Sequence, residues 1–287
     1  MKILVPTDFS RNAQNALECA LVIARKTGSE ITLLHVCQLP VEHYSSAYPI
    51  IAEQTKNDMK AANEKAEEIC QAISSAHSIA CDNVVVAGST REEIIKSAAV
   101  NHADLIIMAT KGASGIDKVL FGSNTASVIE KAPCPVLAVP EKASTALPKK
   151  IAYATNYHDS DMQTLKELTK LTVNLSAELM ILHVPKKKLR SEQELVEEFS
   201  RAVAKETGHT QPLHYALAHH DTQRGIELFV DSAEADWLAL STRKRSAFKK
   251  IFDSSLTKKL AYQARLPLLV YHATSVDDED TDNEDFQ

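Results

Sequence analysis

The sequence predicts two α/β domains in tandem, each a parallel β-sheet wrapped by helices, and three observations carry that prediction. The chain is 287 residues long, beyond the usual size of one domain and enough for two hydrophobic cores. Short apolar runs alternate with stretches of helical periodicity, the pattern of strands joined by crossover helices. That pattern also occurs twice. KILVPTDFS at Lys2 returns as KIAYATNYH at Lys150, and ITLLHV at Ile31 returns as LMILHV at Leu179, both at an offset of 148. Further on, ADLIIMATKGASG at Ala103 returns as ADWLALSTRKRSA at Ala235, and CPVLAVP at Cys134 as LPLLVYH at Leu266, now at an offset of 132. The second copy has therefore lost sixteen residues between its second and fourth strands.

In the first copy the strands read KILVPT, EITLLHV, NVVVAG, DLIIMAT and PVLAVP. Between the first two, Ala13, Ala16, Leu17, Ala20, Leu21 and Ala24 recur at helical spacing, with Asp8 or Ser10 as the candidate N-cap. Between the second and third, Thr55, Met59, Ala62, Ala66, Ile69 and Ile73 trace a second stripe; Met59 reads as core at such spacing. SNTASVIEKA after the fourth strand opens a helix, with Ser123 as candidate N-cap. The small, charged and proline residues of EKASTALPKK read as a linker, which divides the chain into domains at 1–142 and 149–272 joined by 143–148.

The formal charge of −6 resides in the end of the chain, because VDDEDTDNEDFQ carries seven acids and leaves 32 bases against 31 acids elsewhere. Residues 273–287 therefore read as a solvated acidic tail outside the fold. No apolar run approaches the roughly eighteen residues of a membrane span, and no apolar signal segment follows a basic start. A soluble, cytoplasmic protein is expected. The five cysteines Cys19, Cys37, Cys70, Cys81 and Cys134 show no CxxC spacing, so small reduced thiols are expected rather than a disulfide framework or a zinc site. His219, His220 and Asp221 lack a fourth ligand at metal spacing. His35 and His183, at matching strand positions, read as core histidines. The run RKRSAFKK at 243–250 interleaves only Phe248, and a near-neutral body with an acidic tail disfavours a nucleic-acid partner.

Gly112, Gly115 and Gly122, three of the chain's seven glycines, crowd into MATKGASGIDKVLFGSNTASVI between a buried strand and a helix. Glycine there lets backbone N–H groups approach an anion, and the helix N-terminus adds partial positive charge. This is a phosphate site in outline, without the Gly-Lys-Ser/Thr of a Walker loop or the GxGxxG of a dinucleotide fold. Spacing alone leaves open the other reading, a loop that needs positive φ at two or three positions.

VPTDFS after the first strand, LLHV in the second and TKGASGIDKVLFGSNTASVI after the fourth resemble the universal stress protein family, whose nucleotide-binding members carry Gly-x2-Gly-x9-Gly-Ser. The matching positions are Ala109, Gly112, Gly122 and Ser123, with alanine in place of the first glycine. The resemblance covers both domains. It implies two doubly wound five-stranded parallel sheets of strand order 3-2-1-4-5, adenine nucleotide alpha hydrolase-like, with ATP, with or without Mg²⁺, where the first and fourth strands diverge. It assigns Asp8 to the ribose or adenine, Pro6 and Thr7 to the turn, Val36 to the base, and Gly112, Gly122, Ser123, Asn124 and Thr125 to the phosphates, with Lys111 as a charge partner. It also implies that the fifth strands PVLAVP and PLLVYH pair within the chain as a pseudo-dimer, which would cover two apolar edges and leaves a homodimer open.

The second domain departs at each of these places: Asp8 becomes Asn156, Pro6 becomes Ala154, Gly112 becomes Lys244, and Gly122-Ser123 becomes Ser254-Ser255. One nucleotide site per chain is expected, in the first domain. The function so implied is an ATP-binding regulatory module of the stress response. The alternatives are a nucleotide-independent scaffold, suggested by the degenerate second domain, and a slow ATPase, for which the site offers no acid besides Asp8; no catalytic residue is assigned.

Overall fold

The computed structural model describes residues 1–38, 48–111, 122–157, 161–185, 197, 199–201, 203–205, 213–242 and 266–272. Gly112, Gly115, Lys244, Ser254, Ser255, the basic run and the acidic tail lie outside them. The chain forms two compact units with their border between Leu147 and Pro148.

The first unit runs β1 (Lys2–Thr7), α1 (Arg11–Thr27), β2 (Glu30–Gln38), α2 (Tyr48–His77), β3 (Cys81–Gly88), α3 (Thr90–Val100), β4 (Leu105–Ala109), α4 (Ser123–Lys131) and β5 (Val136–Val139). Its strands are parallel and lie in the order β3-β2-β1-β4-β5. The central strands are unbroken apolar runs because helices cover both faces: Ile3, Leu4, Val5, Ile106 and Ile107 are all but completely buried.

Helix α1 begins at Ser10, whose hydroxyl accepts from Ala13 N–H at 3.2 Å. Of the two candidate caps it is thus Ser10, not Asp8, that closes the helix end. Ala13, Ala16, Cys19, Ala20, Ile23 and Ala24 form its buried face, with Leu17 and Leu21 flanking it. Small side chains let the helix lie close on β1 and β4. Gly28 ends it in the left-handed region, φ 66°, where glycine carries no side-chain penalty. Replacing the cap, Ser10→Ala, is expected to lower stability by about 1 kcal/mol; a urea transition unchanged from wild type would show that the cap contributes nothing.

Along α2, Ala62, Ala66 and Ile73 of the expected stripe are buried and Thr55, Met59 and Ile69 half-buried. Cys70 joins that face and is linked by a disulfide to Cys81 at the start of β3. This corrects the expectation of five reduced thiols. The chain leaves α2 and doubles straight back into the sheet, which brings the two Cα atoms to 5.1 Å. The other three, Cys19, Cys37 and Cys134, are free and buried, as expected. Helix α3, between β3 and β4, turns Ile94 and Ala98 inward and carries Glu92 and Glu93 in its first turn, where acids suit the helix dipole.

The second unit runs β6 (Lys150–Ala154), α5 (Asp161–Leu175), β7 (Glu178–His183), β8 (Leu213–Ala216), α6 (Thr222–Ala233), β9 (Trp237–Thr242) and β10 (Leu268–His272). Its order, β8-β7-β6-β9-β10, is again 3-2-1-4-5 in parallel. The repetition reaches individual hydrogen bonds. Lys2 N–H donates to Asp104 Oδ2 at 2.7 Å and Asp104 N–H to Lys2 O at 2.9 Å; Lys150 N–H donates to Asp236 Oδ2 at 2.9 Å and Asp236 N–H to Lys150 O at 2.9 Å. Ile3 lies opposite Leu105 and Ile151 opposite Trp237. Asp221 caps α6 by accepting from Gln223 and Arg224 N–H, which accounts for an acid beside His219 and His220. No helix among the described residues is long and apolar enough to cross a membrane.

Candidate functional site

Strand β1 pairs with β2 on one side and β4 on the other, so the connections that follow β1 and β4 leave the same sheet end in opposite directions. That divergence opens a crevice at the strands' carboxyl ends. The sequence-assigned residues, where described, fall on its two sides.

On the β1 side, Pro6 is buried opposite Leu34 and Thr7 lies opposite His35. The chain then turns sharply at Phe9, φ 59°, an uncommon backbone state for a bulky side chain. Two side chains hold it: Thr7 Oγ1 accepts from Phe9 N–H at 3.0 Å and Asp8 Oδ1 from Ser10 N–H at 3.0 Å. The Asp8 side chain stays exposed at the turn. The Phe9 ring stacks on His35 with centroids 4.5 Å apart, and Lys65 of α2 places its Nζ 4.5 Å from the Phe9 centroid. His35 Nδ1 donates to Thr7 O at 2.9 Å, which fixes the ring against the turn. His35 is therefore half-buried and part of the site wall rather than simply core. Val36, the next residue on β2, is half-buried opposite Val86.

On the β4 side, Ala109 ends the strand and Lys111 follows, both half-buried. Gly122 N–H donates to Thr110 O at 2.7 Å and Thr125 Oγ1 to Ala109 O at 3.0 Å, which ties the start of α4 to the end of β4. The N-cap of α4 is Gly122, not Ser123, and no side chain caps it. Ser123, Asn124 and Thr125 are thus the first helical residues, and their N–H groups precede the first intrahelical bond, Ala126 N–H to Gly122 O at 3.0 Å. Gly122 itself has φ −59° and ψ 156°, ordinary extended backbone, so conformational freedom is not why glycine stands there. Among the described residues, a Cβ at Gly122 would meet only Thr110 O, at 3.7 Å. Gly112, the remaining glycine of the motif, lies outside the described residues.

The second unit keeps the turn and has a polar cluster behind it. Thr155 Oγ1 accepts from Tyr157 N–H at 2.9 Å, Tyr157 has φ 57°, and His183 Nδ1 donates to Thr155 O at 2.9 Å. Yet where the first unit has Val5, Ala13 and Ala109, the repeat offsets place Tyr153, Asp161 and Ser241. Asp161 is 1% exposed and accepts from Thr155 Oγ1 at 2.5 Å and from Ser241 Oγ at 2.7 Å. Burial, and after it the Asp161 charge, raises the Tyr153 phenol far above its usual range and keeps it protonated. A polar cluster therefore links β6, α5 and β9 at positions where the first unit has the apolar Val5, Ala13 and Ala109.

Sequence reasoning missed Phe9 and Lys65 in the first unit and Tyr153, Asp161 and Ser241 in the second. The signal for Phe9 was its aromatic counterpart Tyr157 at the repeat offset; for the cluster it was three polar residues aligned with apolar ones.

A family model described as the universal stress protein family matches residues 1–140 and again 148–272. Among curated proteins, the chain is similar to Universal stress protein MJ0577 of Methanocaldococcus jannaschii, 31% identical over 157 residues that make up 50% of this chain and 96% of that protein. Universal stress protein MJ0531 of the same organism is 30% identical over 144 residues, 48% of this chain and 81% of that protein. A universal stress protein structure from Archaeoglobus fulgidus shares the fold across both units, with a TM-score of 0.74 at 19% identity, covering 95% of this chain and 98% of that one.

Proposed function

The chain belongs to the universal stress protein family, and from that premise we propose that it is an ATP-binding regulatory protein of the stress response with one nucleotide site, in its first unit. The observation that carries this reading is the asymmetry between the two divergence points. In the first unit α4 starts at Gly122 with no side-chain cap among the described residues, and the N–H groups of Ser123, Asn124 and Thr125 precede its first intrahelical bond. In the second, the sequence counterparts of Gly112, Gly122 and Ser123 are Lys244, Ser254 and Ser255.

On this reading the β- and γ-phosphates sit at the N-terminus of α4, where oriented N–H groups and the helix dipole favour negative charge, with Gly112 and Lys111 contributing from the connection after β4. Asp8 accepts hydrogen bonds from the ribose or the adenine while its Oδ1 holds the turn through Ser10; a carboxylate has lone pairs for both. Pro6 and Thr7 set that turn, Val36 and the stacked Phe9–His35 pair wall the base, and Ala109 leaves room beside it. The nucleotide is ATP, with or without Mg²⁺. The domains extend over 1–142 and 149–272, and they act as an intrachain pseudo-dimer with nucleotide on one partner only. The second, on this reading, contributes structure.

Calorimetric titration of the full chain with ATP is expected to give a stoichiometry near one. A value near two would place nucleotide in the second unit, and no heat at millimolar ATP would remove the ATP reading.

A further inference from the structure

The nucleotide reading makes no use of the pair Cys70 and Cys81. Cys70 lies two turns before the end of α2, on its buried face, and Cys81 opens the edge strand β3, half-buried. Eleven positions apart in sequence, they are joined by a disulfide with Cα atoms at 5.1 Å, within the span that such a bond requires. The three other cysteines are held as thiols: burial pushes Cys19 and Cys134 up to about 12, and burial together with the Asp58 charge raises Cys37. Thiolate is the reactive form, so these three are poor nucleophiles, which leaves the pair as the chain's candidate for thiol chemistry.

We propose that Cys70 and Cys81 form a reversible dithiol–disulfide site that sets how firmly α2 is held on the sheet. The chemistry balances with a small disulfide such as oxidised glutathione. The half-exposed Cys81 loses its proton and attacks one glutathione sulfur, expelling a glutathione thiolate and forming a mixed disulfide. Cys70 then loses its proton, attacks Cys81 Sγ and expels the second glutathione. Two electrons and two protons leave the protein, and one oxidised glutathione becomes two reduced ones.

The bond closes a short loop that includes the turn from His77 to Ala80, with Ser78 at φ 55°. Without it, the described side-chain hydrogen bond between α2 and β3 is that from Asn83 Nδ2 to Asn63 Oδ1 at 2.9 Å, between exposed or half-exposed groups. Such a bond is worth only about 1 kcal/mol. The segment of α2 so tied also carries Lys65 to the Phe9 ring, five residues and about 7.5 Å of helix before Cys70. Oxidation therefore steadies the cation that stands beside the Asp8 turn. This last link rests on the proposed nucleotide site; the redox site does not.

The test uses the full chain, reduced and then incubated with oxidised glutathione or kept with dithiothreitol, and read by non-reducing peptide mapping and by hydrogen exchange. The expected result is a single Cys70–Cys81 crosslink, absent from Cys81→Ser, and amide exchange over residues 60–77 on the order of tenfold faster in the reduced chain. Five alkylatable thiols after oxidation, or a crosslink between other cysteines, overturns the site. Crosslinking without any change in exchange overturns the hold on α2. Measuring ATP affinity in both states separates the two readings: loss of ATP binding in both defeats the nucleotide site while the crosslink stands.

Discussion

Gly122→Val is expected to abolish ATP binding while leaving the first unit folded. The backbone at Gly122, φ −59° and ψ 156°, is open to a β-branched residue, and among the described residues the new Cβ meets only Thr110 O at 3.7 Å. Two methyl groups would then stand in the space before the N–H groups of Ser123, Asn124 and Thr125. Losing two or more hydrogen bonds to a charged phosphate costs about 3 kcal/mol or more, which is a loss of more than about a hundredfold in affinity. Valine is also a poor N-cap, so a further cost of about 1 kcal/mol in stability is expected; a denaturation curve measures it separately. An affinity within threefold of wild type by calorimetry would move the phosphates away from α4.

Asp161→Ala carries the largest expected effect on stability. The carboxylate is 1% exposed and serves two hydroxyls, Thr155 Oγ1 and Ser241 Oγ. Removing it leaves both without their acceptor in a buried space, so a loss of about 2 to 4 kcal/mol is expected. Alanine is also what the first unit has at the equivalent Ala13, where the residues around it are apolar and nothing is left unpaired. The double variant Asp161→Ala/Ser241→Ala should therefore lose less than the sum of its two single changes, because one of the orphaned hydroxyls is gone. Urea unfolding of the four proteins checks both statements. Strict additivity, or a neutral Asp161→Ala, would mean that the cluster does not act as a unit.

Much of the fold was legible because strands buried on both faces must be apolar throughout, and runs such as KILVPT and DLIIMAT recur at fixed offsets. Ser10 and Asp221 at their helix starts obey the chemistry of unpaired N–H groups. The site was legible in part. Its glycine at 122 reads as letting backbone N–H groups approach an anion, with a loop of positive φ as the other reading; the backbone at Gly122, φ −59°, is not of that second kind, and sequence alone does not separate the two. The turn at Phe9 was hidden for the opposite reason, since a left-handed aromatic residue contradicts local preference and is held by Thr7 and the stack on His35. The Cys70–Cys81 pair needed the end of α2, which no spacing rule announces. Asp161 was not singled out from the sequence; the aligned Ala13 is what marks an acid at that position as unusual.

A single nucleotide site, as proposed, would make the two halves answer differently to their surroundings. A ligand that binds only the folded form adds stability with its concentration, about 2.7 kcal/mol at a hundred times its dissociation constant. If the first unit binds ATP as proposed, it draws part of its stability from the ATP supply. The second, proposed to hold no nucleotide, draws instead on fixed interactions such as those of the buried Asp161 with Thr155 and Ser241, and on that reading its stability does not follow the nucleotide. On that reading one chain joins a half whose resistance to unfolding tracks the energy supply to a half that holds a constant reference, and a fall in ATP is expected to loosen the first unit alone.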